Sequence, residues 1–211
     1  HPLPPPFHTG RPVASLGADY DLDGDGRTEV VAIASDSVRT RFRIWILDAG
    51  TGDTRASLDW TPPPEDFPDG RHDVGLTPLG GIDRPDGPGQ WLVVVVNGGY
   101  DHTARRILAL APQEGRVAWE HRFGPNPDPR WTRLHDVDGD GRREVIVGSA
   151  GVDNLDGVRV HGASDDSCHV HVLGTDGERR WSRALAPAPS GTRVTLADLD
   201  GDGRAELVAA S

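Results

Sequence analysis

Three stretches of the chain gather carboxylates at a spacing that suits a hard cation. They are Asp21-Leu-Asp23-Gly-Asp25-Gly-Arg-Thr-Glu29, Asp136-Val-Asp138-Gly-Asp140-Gly-Arg-Arg-Glu144 and Asp198-Leu-Asp200-Gly-Asp202-Gly-Arg-Ala-Glu206. Calcium takes roughly six to eight oxygen ligands at about 2.3–2.6 Å. In a D-x-D-x-D-G-x-x-E loop the carboxylates at positions 1, 3 and 5 converge on one point, and the following glycine permits the sharp turn. Position 7 offers a backbone carbonyl, and the glutamate at position 9 can bind through both oxygens. The expected side-chain ligands are therefore Asp21, Asp23, Asp25 and Glu29, then Asp136, Asp138, Asp140 and Glu144, then Asp198, Asp200, Asp202 and Glu206. Arg27, Arg142 and Arg204 would supply carbonyls, with Gly26, Gly141 and Gly203 as turn residues. Asp19 stands close enough in sequence to be an extra or outer ligand.

An EF-hand is the obvious rival, but its bidentate glutamate sits at position 12 between two helices. Position 12 here is Ala32, Val147 or Ala209, each inside an apolar run that reads as a strand. Plain Asp-Gly turns without metal are the other alternative. Four carboxylates held together, three times over, instead call for a cation to offset their repulsion. Magnesium prefers near-ideal octahedral geometry and retained waters, and zinc prefers nitrogen or sulfur. Three calcium ions are thus the expected cofactors. Folding should depend on free calcium, because a ligand that binds only the native state stabilises it.

Other chemistry-bearing residues are sparser. Cys168-His169-Val-His171 alternates, so Cys168 should face away from both histidines on a strand, where one ion could not readily use all three. His135 adjoins the second acidic loop, His72 and Asp73 fall in a connecting segment, and His121 falls on a strand. None completes a nucleophile, base and orienter set, and no phosphate-cradling glycine motif is present. Asn97 to His102 and Val152 to Asp156 are candidate recognition loops, since loops on a rigid scaffold often carry binding.

Composition narrows the field further. The net charge is −11, from 33 acidic and 22 basic residues, which argues against nucleic acid as a partner. Three bound Ca²⁺ ions would bring that to about −5. Cys168 is the single cysteine, so no internal disulfide forms. The longest apolar run, Trp91 to Val96, is too short to insert in a membrane as a spanning helix. Residues 1–12, opening His1-Pro2-Leu3-Pro4-Pro5-Pro6, read as a linker or a mature N-terminus. Abundant glycine (27) and proline (18) suit many short strands joined by tight turns.

The elements that must position these loops repeat as well. The second and third acidic loops lie about 62 residues apart, and each of the three leads into a short apolar strand, such as Val145 to Gly148. A hairpin follows in phase. Arg43 to Leu47, Arg106 to Leu110 and His169 to Leu173 each run into a turn ending at Gly52, Gly115 or Gly177. The return strands are Thr54 to Trp60, Arg116 to Phe123 and Arg179 to Leu185, with Trp119 and Trp181 in a shared packing slot.

Four strands in each such repeat predict an all-β chain, a β-propeller-type array over residues 13–211. The units are approximately 13–72, 73–130, 131–191 and a partial 192–211, about three and a half four-stranded blades of a partial or larger propeller. In the second unit Asp83-Arg-Pro85-Asp-Gly87-Pro-Gly-Gln-Trp91 keeps the turn but has lost the ligand pattern. Thr61 to Asp73 and Gly151 to Asp166 read as surface insertions. Open edges at both ends of such an array are a liability, so a partner chain, a second copy or a further segment should cover them.

The loop-strand segments 21–33, 136–148 and 198–210 resemble the calcium-binding FG-GAP or VCBS repeats of integrin-type β-propellers. The FG…GAP signature itself is missing, since Phe123-Gly124-Pro125 lacks its counterpart. The resemblance implies structural calcium sites between strands on one face of a propeller. It also implies a role in adhesion or ligand recognition. The abundance of calcium outside the cytoplasm makes a secreted, extracellular or periplasmic module the expectation, and the lack of a catalytic constellation points to one without catalysis of its own. The partner would be a protein or carbohydrate ligand, or a second chain completing the propeller. Some propellers of this build are calcium-dependent polysaccharide lyases, so a fragment of such a carbohydrate-active enzyme is the alternative expectation.

Overall fold

A computed structural model describes residues 12–13, 20–36, 38–66, 74–98 and 104–211. The chain is all-β, with antiparallel sheets built from strands that follow one another in sequence. Strands β1 (Pro12–Val13), β2 (Glu29–Ser35), β3 (Phe42–Asp48) and β4 (Thr54–Trp60) form the first sheet in chain order. The second sheet holds β5 (Val74–Asp83), β6 (Gln90–Gly98), β7 (Arg106–Ala111) and β8 (Arg116–Arg122).

The third sheet holds β9 (Asn126–His135), β10 (Glu144–Gly151), β11 (Ser167–Leu173) and β12 (Arg179–Pro187). Two residues of β13 (Ser190–Gly191) also pair with β10. Among the described residues strands β14 (Arg193–Ala197) and β15 (Glu206–Ala210) pair only with each other. Each acidic loop therefore enters the second strand of its own sheet. Among the described residues no helix is long and apolar enough to cross a membrane.

Strand alternation explains how the sheets stack. In β6 every side chain from Leu92 to Val96 is buried. Leu92, Val94 and Val96 join Ile33, Ile44 and Ile46 of the first sheet in one core. Val93 and Val95 point the other way and join Val145, Val147 and Leu173 of the third sheet. The third sheet then turns Ile146, Val170 and Val172 toward Val194, Leu196 and Leu207. A strand covered on both faces reads as an unbroken apolar run, which is why β6 does not alternate. Each such fully buried Val or Leu contributes roughly 1.5–3 kcal/mol.

The two segments read as surface insertions are not merely surface. Asp66, in a short 3₁₀ turn at Pro64–Asp66, is buried against Arg106 and Arg122. Asp165 is fully buried against Arg105, which also donates to the Gly124 carbonyl at 2.6 Å and to Asn154 Oδ1 at 2.6 Å. A buried guanidinium needs a buried carboxylate. These connections therefore reach into the packing and lock it.

Candidate metal sites

The three acidic loops fold into the same cradle. In the first, Asp21 accepts from the N–H groups of Gly24 at 2.7 Å and Gly26 at 2.9 Å. Asp23 accepts from the Asp25 N–H at 3.0 Å, Asp25 from the Arg27 N–H at 2.9 Å, and Glu29 from the Leu22 N–H at 2.7 Å. The second loop repeats all five bonds through Asp136, Asp138, Asp140 and Glu144, and the third through Asp198, Asp200, Asp202 and Glu206. The chain turns back at two left-handed glycines per loop: Gly24 and Gly26, Gly139 and Gly141, Gly201 and Gly203. The sequence pattern had singled out only the second of each pair. A side chain at either position would strain the turn.

Carboxylate oxygens of Asp21, Asp23, Asp25 and Glu29 come within 4.8 Å of one another. In the other two loops the converging groups are Asp136, Asp138 and Glu144, and Asp198, Asp200 and Glu206. Asp140 and Asp202 stand outside that convergence. Three acidic clusters able to hold a metal ion are thus present, the first with the largest ligand set.

The donor set fits a cation on physical grounds. Glu29 is fully buried, and while Oε2 takes the Leu22 N–H, Oε1 has no hydrogen-bond partner. A buried carboxylate oxygen without a partner costs free energy unless something charged satisfies it. Burial pushes the Glu29 carboxyl above its ordinary range, and Asp23, Asp21 and Asp25 push it the same way against the Leu22 N–H. Burial likewise raises Glu144, reinforced by Asp138, Asp140 and Asp136 and opposed by the Val137 N–H. A divalent ion reverses both penalties at once.

What lies around the loops differs. Leu22 is 1% exposed within the core shared by the first two sheets, and its carbonyl accepts the Gln90 N–H at 3.1 Å. The ligand-poor loop of the second unit thus buttresses the first acidic loop, and Gly89 packs directly on Leu22 and Asp23. That second loop is held by Arg84, which bonds Asp86 at 3.1 Å and Glu114 at 2.8 Å, while Trp91 is buried in the core. Val137, at the position of Leu22, is half-buried against the last pair of strands. Leu199, at the same position in the third loop, is 69% exposed.

The two tryptophans of the shared slot diverge in the same way. Trp119 donates its indole N–H to the Thr175 carbonyl at 2.8 Å and packs against Gly177 in the next sheet's hairpin turn. Trp181 is 44% exposed. Several expected site residues, namely Asp19, His72, Asp73 and Tyr100 to His102, lie outside the described residues. Asn97 is described, and it serves packing by donating to the Pro127 carbonyl at 2.8 Å. Arg105 and Arg106 were missed by sequence reasoning. Their only signal is a charged pair set at the start of an apolar strand.

No family model and no curated protein matches the chain. Among solved structures the chain is similar to the crystal structure of BBS1N in complex with ARL6DN, soaked with lead. The identity is 15% over 94% of this chain and 75% of that chain, with a TM-score of 0.28.

Proposed function

We propose that the chain is a calcium-stabilised β-propeller-type module of the FG-GAP or VCBS kind, working outside the cytoplasm as a binding or adhesion surface. Its sheets are the blades, and its calcium ions are structural. Support for calcium comes from the thrice-repeated all-oxygen cradle and the partnerless Glu29 Oε1, which suit a hard cation better than zinc. Calcium-dependent folding in turn favours a calcium-rich compartment.

The observation that carries the binding role is the contrast between Trp119 and Trp181. Trp119 is capped by the hairpin turn of the following sheet, whereas Trp181, at the equivalent position of the next unit, is 44% exposed. A position that a following hairpin turn covers in one unit and leaves bare in the next is a place where other polypeptide can pack. The partner is a protein segment that supplies a turn over Trp181.

Photo-crosslinking from position 181 tests this. With a benzophenone residue at Trp181, the calcium-loaded protein in its native secretory extract should give a discrete adduct. The adduct should disappear on chelation. Equal labelling from position 181 and from the exposed control position Arg130 would overturn the reading. Isothermal titration tests the metal assignment, with three Ca²⁺ ions per chain expected.

A further inference from the structure

The third sheet departs from the repeat at its first strand. Pro127 of β9 pairs with Ser149 of β10 and Thr132 pairs with Val147, so Asp128 to Trp131 stand opposite Gly148 alone. The matching irregularity between β5 and β6 leaves only Leu79 unpaired. Such a bulge re-aims side chains instead of extending the ladder. Ser190 and Gly191 of β13 pair with Gly151 and Ala150 of the same β10, and the Thr192 N–H bonds the Ser149 carbonyl at 3.0 Å. Gly148 lets the two segments approach: a Cβ there would lie 2.9 Å from Trp131 Cβ and 2.8 Å from the Thr192 carbonyl oxygen.

Between the bulge and β13 opens a cleft of about 470 Å³, bordered along β10 by Ser149 to Val152. That size is typical of small-molecule sites. Val152 also begins the segment read from the sequence as a recognition loop.

The polar groups of the cleft are unevenly satisfied. Ser149 is met within the sheet, since its hydroxyl donates to the His169 carbonyl and accepts the His169 N–H, both at 3.0 Å. Asp128 and Arg130 pair at the rim, with Nη2 to Oδ2 at 2.6 Å, and so present an acceptor beside a donor. Thr192 is 1% exposed, and its hydroxyl has no hydrogen-bond partner. A buried hydroxyl left unpaired at the wall of a polar cleft calls for a water or a ligand oxygen. Arg193 is exposed, with its guanidinium carbon 5.7 Å from the centre of the Trp131 ring. Among the described residues no carboxylate pairs with it. Packing on the indole holds that guanidinium in place and lowers the cost of ordering it on a ligand.

We propose that this cleft binds a polyhydroxylated carboxylate, a sugar acid either free or as the acidic unit of a chain. Arg193 takes the carboxylate through paired N–H bonds, the geometry a guanidinium matches. The Asp128–Arg130 pair accepts from and donates to neighbouring hydroxyls, while Pro189 and the Trp131 edge cover the C–H surface. A single unpaired cation, with Asp128 at the rim, suits one negative charge and disfavours a phosphate dianion. Neither Trp181 nor any acidic loop lines this cleft, so the site is separate from the partner surface and from the calcium cradles.

The test uses the full chain in saturating calcium and follows the Trp131 indole N–H by NMR, assigned with Trp131→Phe. D-glucuronate should shift this signal saturably, while glucose and inorganic phosphate at the same concentration should not. Arg193→Gln should weaken glucuronate binding at least about tenfold, the worth of one charge-assisted bond. Arg193→Lys should restore part of the loss. Thr192→Val removes a hydroxyl the fold does not use, so it should weaken binding without lowering Tm. A glucuronate trisaccharide separates the two sources: tighter binding than the monomer marks a chain unit, and equal binding marks a free acid. Glucose binding as well as glucuronate, phosphate displacing it, binding untouched by Arg193→Gln, or no saturable shift with monomer and trisaccharide alike would each overturn the proposal.

Discussion

Leu22 donates its N–H to Glu29 Oε2 at 2.7 Å and accepts the Gln90 N–H on its carbonyl at 3.1 Å. One residue thereby links a buried metal-site carboxylate to the adjoining sheet. Cation binding in the first loop should tighten the junction between the first and second sheets, a coupling the exposed third loop lacks.

Calcium removal should therefore destabilise the chain unevenly. At a hundredfold excess over Kd, one site is worth about 2.7 kcal/mol. In a chain of this size that is roughly 5–10 °C in Tm. Glu29→Gln should abolish most of the first site's share, while Glu206→Gln, at the half-exposed third loop, should cost less. Calorimetric melts with and without chelator check this. Equal losses for the two variants would sever the proposed link through Leu22.

The same contrast applies to the residues between the ligands. Leu22→Ala removes a side chain that is 1% exposed and should cost about 2–5 kcal/mol. Leu199→Ala removes one that is 69% exposed and should fall within about 0.5 kcal/mol of the parent. Urea unfolding in saturating calcium measures both. A costly Leu199→Ala would mean that this face is already covered in solution.

Much of this was legible in the sequence because it is local. Each acidic loop is specified by carboxylates and glycines within nine positions, and Gly115 and Gly177 announce their hairpin turns before any sheet is built. The pairing of Trp119 with Trp181 was legible as a repeat but not as a difference. Exposure is decided by the neighbouring sheet rather than by either tryptophan. Arg105 and Asp165 lie 60 residues apart, so only the packed fold brings them together. The meeting of His121, Phe123 and His171 was invisible for the same reason. His121 and His171 belong to different sheets, and strand alternation says which face each takes but not what that face meets.

Asp48 sets a pH dependence of known sign. Arg55, followed by the Thr51 and Gly50 N–H groups, holds its carboxyl down to about 2 from an ordinary 3.8. The unfolded chain therefore binds more protons between those values, so stability falls as pH falls through that window. The contribution is complete above about pH 4 and lost near pH 2. Asp48→Asn should lower Tm at pH 5 and converge with the parent near pH 2. A difference that stays constant down to the acid limit would refute this assignment.

The Arg105–Asp165 pair provides the sharpest test of whether the 151–166 insertion is structural. Burial pushes the Arg105 guanidinium down from its ordinary value, and Asp165, at 3.1 Å, opposes that shift. Asp165→Ala would leave a buried positive charge without its counter-ion, at a cost of about 3–5 kcal/mol. It would also free the Asn154 N–H, which Asp165 accepts at 2.9 Å, and so loosen the start of the insertion. Replacing both partners, as Arg105→Met with Asp165→Ala, removes the uncompensated charge and should recover much of the loss, because buried ion pairs are frequently matched by apolar residues. Urea midpoints of the parent, the single variant and the double variant in saturating calcium decide the matter. A double variant no more stable than Asp165→Ala would show that the insertion is held by its backbone bonds, such as Asp153 N–H to the Asp165 carbonyl at 2.9 Å, rather than by the charge pair.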